Sequence, residues 1–422
     1  MLRQLTLVAG VAALAISAAT AAAAADKLVV TSHAVHQRVL TEGEGGNIVK
    51  DWEDKTGVEV EFLTFGVSEA QERAFREASL GEGTVDVAFI LGRYGGPHIA
   101  TLFTDLGELQ AKDPIEDFDE ISPGMRAAHT HKGKLIGIPF RHATHGLLYN
   151  EEILAEKGFD RPPETFDEVV EYARALTFTR DDGTKVHGMA ITMDDPSAVM
   201  DWIRAYGGDF VTSDYEVVID SPEAVKALTV LRDLAQEGVL PSDVTSYNTE
   251  NVITVMQQGR AAMTNQPFGR YKNYNDPEAS QYPGAFKVRP IPMAEGVEGP
   301  HAAKTSVWAM TIPANAPNAE LAWDFVKFVS SKDNTVRAAL NGNGPVRLSA
   351  YEDPRVQALV PYAEAEAQAL ANARIVVPGF ENGAKAMDIF MEEVEAMMLG
   401  LKEPEAAAAD IKARVEPLMP QS

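Results

Sequence analysis

Residues 138–150 read IPFRHATHGLLYN. An apolar start, Ile138-Pro139-Phe140, runs into Arg141, His142 and His145, and the chain is apolar again through Leu147-Leu148-Tyr149. A guanidinium presents a planar fork of donors suited to hydroxyl pairs, carboxylates and other oxyanions. An imidazole is a hydrogen-bond partner, a proton carrier or a metal ligand. The stretch is either an ordinary polar loop or the floor of a site that holds something polar. Histidines recur in pairs, His33/His36, His129/His131 and His142/His145. Paired imidazoles suit a transition metal, although the spacing is not an i, i+4 helical pair and no thiol assists.

Motifs for catalysis are missing. The chain has no G-x-S-x-G, no G-x-x-x-x-G-K-[ST], no H-E-x-x-H and no cysteine nucleophile. Asp181-Asp182 and Asp194-Asp195 are adjacent carboxylates, but 62 acidic residues make such pairs expected. Two positioned carboxylates suffice for a glycosidase. A secreted carbohydrate-active enzyme and a metal-binding periplasmic protein therefore stand as the two alternatives to a plain binder. No catalytic residue, metal ligand or cofactor is assigned.

The elements that would position these groups must come from a chain of 422 residues, enough for two domains. Residues 1–25 have the form of a signal peptide: a short n-region with Arg3, an apolar h-region, and Ala23-Ala24-Ala25 as an A-x-A cleavage pattern. Cysteine is absent, which leaves no residue to carry a lipid anchor and no disulfide. The formal charge of −25 argues against nucleic acid and anionic membrane surfaces as partners. An exported, acidic, cysteine-free chain is expected in a bacterial periplasm.

After the leader, KLVVTSH reads as a strand, EGGNIVKDWEDKTG as a helix stopped at Gly57, and VEVEFLTF as a half-buried strand. SEAQERAFREASLGEG and DVAFI continue the alternation, which is the pattern of a parallel sheet with helices on its faces. Thr165 and Glu168 have the spacing of a capping box. Ser221, Pro222 and Gly238 bound another helix as N-cap, N1 and terminator. RAAMTN and SVWAMTIP read as strands, and NAELAWDFVKFVSS as an amphipathic helix.

Several of these stretches resemble one family. GIPFRHATHGLLYNEEILAEKGFDRPPETFDEVVEYARALT, YGGDF, DSPEAVKALTVLRDLAQEGVLP, VMQQGRAAMTNQPFGRY, IPANAPNAELAWDFVKFVSSKDN and NGNGPVRLSAYEDP together resemble family 1 extracellular solute-binding proteins of ABC importers, carbohydrate-binding type. The resemblance spans roughly residues 130–355, and it implies an α/β, two-lobed periplasmic binding protein fold of type II. Each lobe would be a mainly parallel sheet flanked by helices, with three crossovers near Pro139–Ala143, Arg289–Thr305 and Asn341–Arg347. Lobe one would be 26–140 plus 300–342, and lobe two 141–295 plus 343–422. The implied function is capture of a sugar or sugar-like solute by a monomer and its delivery to a membrane permease. One departure is that Ala303-Lys304-Thr305-Ser306 stands where many sugar-binding members carry a Gly-Gly turn.

Ligands in α/β sheets sit beyond the carboxyl ends of strands. That rule selects Thr31-Ser32-His33, Gly92-Arg93-Tyr94, Arg141-His142, Asn265-Gln266-Pro267-Phe268 and Lys304-Thr305-Ser306. A sugar requires paired hydrogen bonds to hydroxyls and an aromatic face for stacking. The expected binding residues are His33, Arg93, Tyr94, Phe140, Arg141, His142, Trp202, Asn265, Gln266, Phe268, Lys304, Thr305, Ser306 and Arg347. Several have ordinary structural readings too. Trp202 is at helical spacing with Tyr206 and suits a core, Tyr94 suits an exposed loop, and Arg347 suits a residue that fixes the crossover. Arg93, Arg141, Arg347, His142 and Lys304 exceed what a neutral sugar needs, and an acidic or sulfonated sugar would use them, unless lobe carboxylates pair with them.

Overall fold

The computed structural model describes residues 27–299 and 301–420. The expected signal peptide, 1–25, lies outside the described residues. Eleven strands follow in chain order: β1 Lys27–His33, β2 Glu59–Phe65, β3 Val87–Leu91, β4 Thr130–His131, β5 Lys134–Leu135, β6 Ile138–Asn150, β7 Phe178–Thr179, β8 Lys185–Met189, β9 Ala261–Pro267, β10 Phe286–Arg289 and β11 Thr305–Thr311. Nine of them form one sheet in the order β2-β1-β3-β11-β6-β9-β8-β7, with β10 on β6; β4 and β5 make a separate hairpin. Pairing is parallel among β2, β1 and β3 and between β8 and β9. It is antiparallel where β11, β6, β9 and β10 meet in the middle.

Local chemistry explains the elements. All five residues of β3 are buried, as in a strand covered on both faces. Asn47 accepts from the Lys50 amide to start the helix Ile48–Thr56, and Gly57 ends it at φ 76°. Ser221 accepts from the Ala224 amide ahead of Pro222 in the helix Pro222–Gln236. The expected capping box at Thr165 closes on one side only. Thr165 accepts from the Glu168 amide, but the Glu168 carboxylate turns to Arg161 at 2.8 and 2.7 Å and to the Glu164 amide.

The helices cover two main cores. One gathers Leu28, Val30, Trp52, Phe89, Ile138, Phe140, Met310 and Phe325. The other gathers Phe166, Trp202, Phe210, Leu231, Met263, Phe390 and Val394. The expected assignment of 343–422 to the second lobe is corrected over part of its length. Val346, Tyr351, Ala363, Leu370 and Ala373 pack into the first core, and the second core resumes at Val376.

The strand β6 joins the two bodies. Its first part, Ile138–Thr144, pairs with β11, and its second part pairs with β9 over His145–Tyr149 and with β10 over Leu147–Asn150. The polar stretch at Arg141–His145 is therefore not a loop but the middle of a continuous strand of 13 residues. Neighbouring backbones come close here. The His142 amide donates to Gly344 O at 3.3 Å, and a Cβ on Gly344 would sit 2.4 Å from His142 O. Gly146 lies under the Phe268 ring, which would be 2.6 Å from its Cβ.

Arg347 is a framework residue, and its expected ligand role is corrected. Its side chain is 1 % exposed. Its guanidinium donates to the carbonyl oxygens of Ser330, Asp117 and Glu116, which ties the third crossover to the first lobe. Stranding buried carbonyls costs ~1–3 kcal/mol per group. Arg347→Met should therefore lower the urea midpoint by an amount equivalent to about 3 kcal/mol. Solute affinity at low denaturant should stay within about twofold, which calorimetry would check.

Candidate ligand site at the lobe crossover

The expected binding residues divide into three groups: a buried frame, a paired cluster on one flank of β6, and a cavity lined by uncommitted groups. The frame contains Phe140, Trp202, Asn265, Gln266 and Phe268, and these corrections share one cause. Asn265 and Gln266 belong to β9, and both are 1 % exposed. Asn265 accepts from Trp202 Nε1 and donates to Asp201 and Ala198 O. Trp202 packs edge-on against Phe166 at 5.3 Å, and Phe140 against Phe89 at 5.3 Å. Phe268 is fully buried beneath Tyr362, so Tyr362 is the ring that reaches the cavity edge. His33 caps the helix Ala34–Thr41 by accepting from the Val35 amide at 3.2 Å.

The paired cluster brings Arg93, Lys304, Thr305 and Ser306 together with Asp195, Pro196 and Ser197 around a space of about 20 Å³. Arg93 lies 3.6 Å from Asp195. Lys304 is buried; desolvation pulls its pKa down, while Asp195 and Asp201 act in the opposite sense. Burial would raise Asp195, but Lys304 and the Ser197 hydrogen bonds outweigh it and leave its pKa below the usual carboxylate value. The Asp201 carboxylate accepts from the Lys304 amide at 2.9 Å and from His145 Nδ1 at 2.6 Å. Tyr94 lines an adjoining space of about 190 Å³ with Asp194, Met387 and Asp388. These cations are answered by carboxylates within the protein.

The second cavity, about 270 Å³, is lined by Arg141, His142, Ala143, Arg270, Lys272, Asn343, Tyr351, Tyr362 and Glu366 among others. It touches the first and third crossovers and the end of β9. Arg141 donates only to neutral acceptors, Asn343 Oδ1 at 3.2 Å and Gly342 O at 3.5 Å. Desolvation lowers the pKa of Arg141; nearby Arg38 and Arg270 act in the same sense, while Glu366 and Tyr362 act against them. Behind Arg141 a buried relay crosses three segments. Thr144 donates to Thr305 at 2.8 Å, and His142 bonds Thr144 at 2.9 Å and the Tyr351 hydroxyl at 2.8 Å. Tyr351 in turn lies 3.0 Å from Glu366. Burial holds His142 at about 3, so its ring is neutral, and pushes Glu366 up to about 7. With Glu366 protonated, every hydroxyl and imidazole in the row donates once, toward Thr305.

A third space, about 610 Å³, lies between Gly124–His131 and Arg204–Glu223. Its two arginines are held internally. The Arg204 guanidinium bonds Asp209 and the carbonyls of Arg374, Ile375 and Val376, and Arg374 pairs with Asp209 at 2.9 Å. None of the expected binding residues lines it.

Sequence reasoning missed Asp195, Arg270, Tyr362 and Glu366. Asp195 follows the strand GMAITM, and Arg270 stands two places past Phe268; both were within reach of the strand-end rule. Tyr362 and Glu366 are on and beside the helix Ala363–Leu370 and reach the site by tertiary packing alone. The histidines are dispersed into separate roles, and among the described residues no group of three or more His, Asp or Glu side chains is placed to hold a metal ion.

The raised pKa of Glu366 fixes a pH signature. Between about 4.5 and 7 the unfolded chain has lost this proton while the folded chain keeps it, so its contribution to stability falls as pH rises. Glu366→Gln removes that loss. The stability of the variant minus that of the native protein should grow across this window toward roughly 3 kcal/mol, measured by urea unfolding at several pH values.

Comparisons with known proteins agree with this architecture. The family model described as bacterial extracellular solute-binding protein matches residues 43–336. A relative from Sinorhizobium fredii, named a probable amino-acid ABC transporter periplasmic-binding protein, is 24 % identical over 383 residues, 88 % of this chain and 85 % of the relative. A maltose-bound protein from T. maritima superposes with a TM-score of 0.75 at 26 % identity, covering 93 % of this chain and 100 % of that one. An ABC transporter solute-binding protein from Agrobacterium radiobacter K84, in complex with ribitol, superposes with a TM-score of 0.73 at 25 % identity, covering 93 % and 98 %. The strand order, the shared crossover and these matches carry one conclusion: the chain belongs to the bacterial extracellular solute-binding protein family.

Proposed function

We propose that the chain is the periplasmic solute-binding component of an ABC importer, and that it captures a sugar or polyol between its lobes at the cavity beside Arg141. The observation that carries this reading is the contrast across β6: on one flank Arg93 and Lys304 face carboxylates, whereas on the other Arg141 bonds only neutral oxygens at the edge of a cavity of about 270 Å³. Arg141 offers donors to hydroxyls, Glu366 a donor or acceptor according to its proton, and Tyr362 an apolar face. The maltose and ribitol complexes of similar proteins support a polyhydroxylated solute. Residues from both lobes line the cavity, so a solute there binds the closed form better and shifts the population toward it. A membrane permease then reads the closed shape. Catalysis forms no part of this reading.

A thermal-shift panel of mono- and disaccharides, polyols and amino acids tests the class. A specific ligand at about 100 times its Kd adds roughly 2.7 kcal/mol of stability. Sugars or polyols should raise the melting temperature and shrink the radius of gyration in solution scattering. Stabilisation by amino acids alone would overturn the carbohydrate reading. Arg141→Ala should weaken binding of the best solute at least about tenfold, the loss expected for one good charge-assisted hydrogen bond, with little change in the unliganded melting temperature.

A further inference from the structure

The cavity beside Arg141 has a charge pattern that a neutral polyol does not need. Arg141, Arg270 and Lys272 all line it. Arg141 is committed to neutral oxygens, and no carboxylate among the described residues lies at ion-pair distance from Arg141, Arg270 or Lys272. Arg38, Arg76, Arg260 and Arg289 likewise have no carboxylate at ion-pair distance among the described residues, but they do not line this cavity, and the other described arginines are paired. Arg161, Arg174, Arg180, Arg232, Arg337 and Arg414 each meet a carboxylate. The one carboxyl in the cavity, Glu366, accepts from Tyr351, and burial pushes it up to about 7, so near neutral pH it balances at most one of the three cations. A chain with a formal charge of −25 repels anions at long range. A local group of three cations around one carboxyl offsets that repulsion where it matters, and an anion placed there would add to the pairing that Glu366 gives Arg141.

We infer that the solute carries an anionic group, a carboxylate, sulfonate or phosphate on a polyhydroxylated frame, and that Arg141, Arg270 and Lys272 receive it. This rests on the solute-binding reading above and names its substrate class. The shared chemistry is a compact oxyanion, and the source is decided by the probes.

The test uses the full mature chain in low-salt buffer with D-glucose, ribitol, D-gluconate, D-glucuronate and inorganic sulfate as probes. Melting shifts screen them, and titration calorimetry gives Kd. The acids should bind at least about tenfold more tightly than their neutral counterparts, and 0.5 M sodium chloride should erase much of the difference. Arg270→Gln, at a partly exposed position, should fold normally and abolish the preference for acids while leaving weak neutral-sugar binding. Equal or better binding of glucose or ribitol would overturn the anionic class and leave the sugar reading standing. Binding of sulfate with no sugar or sugar acid bound more tightly would keep the anion site and overturn the carbohydrate frame. An acid preference that survives Arg270→Gln and Arg141→Gln alike would overturn the site assignment, and no binding by any probe would overturn both.

Discussion

One strand belongs to two bodies, and the rest of the structure follows from that constraint. β6 gives its first residues to β11 and its last to β9 and β10. Any rotation of one lobe against the other must bend the few residues where the pairing changes hands, Ala143 to Gly146. Side chains at such a place have backbone neighbours from both lobes and cannot all be satisfied by either one. Polar residues are tolerated in a buried strand only when partners are supplied. At His142, Thr144 and His145 the protein supplies them, through Tyr351, Thr305 and Asp201. At Arg141 it supplies only neutral oxygens, and the adjoining cavity is the consequence.

The relay behind Arg141 links the cavity to the crossover. Glu366, Tyr351, His142, Thr144 and Thr305 form a row of hydrogen bonds with a carboxyl at one end. Buried rows of this kind are costly when half satisfied and rigid when complete. Completeness here depends on one proton. With Glu366 neutral, the donors run in one direction to Thr305. With Glu366 ionised, Tyr351 must turn its proton toward the carboxylate, and the neutral ring of His142 must donate from Nε2 instead of Nδ1. Thr144 then loses its donor from the ring and gives its own proton to it. Solute chemistry at Glu366 and the geometry of two crossovers thus share a set of protons.

Much of the fold was legible in the sequence because its signals are local. Gly57, the Ser221-Pro222 start and the alternation of VEVEFLTF mark elements without reference to the rest of the chain. The polar stretch at 141–145 was not legible as strand. Periodicity weighs a polar run as a break, and only the tertiary partners that satisfy it make it a strand interior. The site was half legible for a related reason. The strand-end rule finds the neighbourhood, and Arg93, Arg141 and Lys304 do line spaces beside the crossover. It cannot tell a residue that faces a cavity from one that faces the frame, since both stand at the same strand end. Trp202, Asn265 and Phe268 fell on the wrong side of that division. Arg347 did so because a buried guanidinium serves carbonyl oxygens as readily as it serves a ligand. Glu366 and Tyr362 carry no local signal, because the helix that bears one and is preceded by the other reaches the site from more than 200 residues further along the chain.

A charge contact between the two bodies is weak. Arg93 and Asp195, 3.6 Å apart and about a third exposed (32 % and 35 %), face each other from opposite lobes. An ion pair with that exposure is worth ~0–1 kcal/mol. Lys304 is the buried charge nearby, but it stands at a crossover and so rides with the hinge in both forms. On the proposed reading, a pair of that worth shifts an equilibrium between open and closed forms by no more than a factor of about five. If a solute bridges Arg141 from the crossover and Arg270 from the second lobe as proposed, a few kcal/mol of preference for the closed form commits nearly all molecules to it. Stronger inter-lobe pairing would close the protein without solute and present the permease with unloaded copies; weaker pairing would spend solute affinity on closure. The exposed Arg93–Asp195 pair on one flank and Arg141, held only by neutral oxygens, on the other are two sides of one balance.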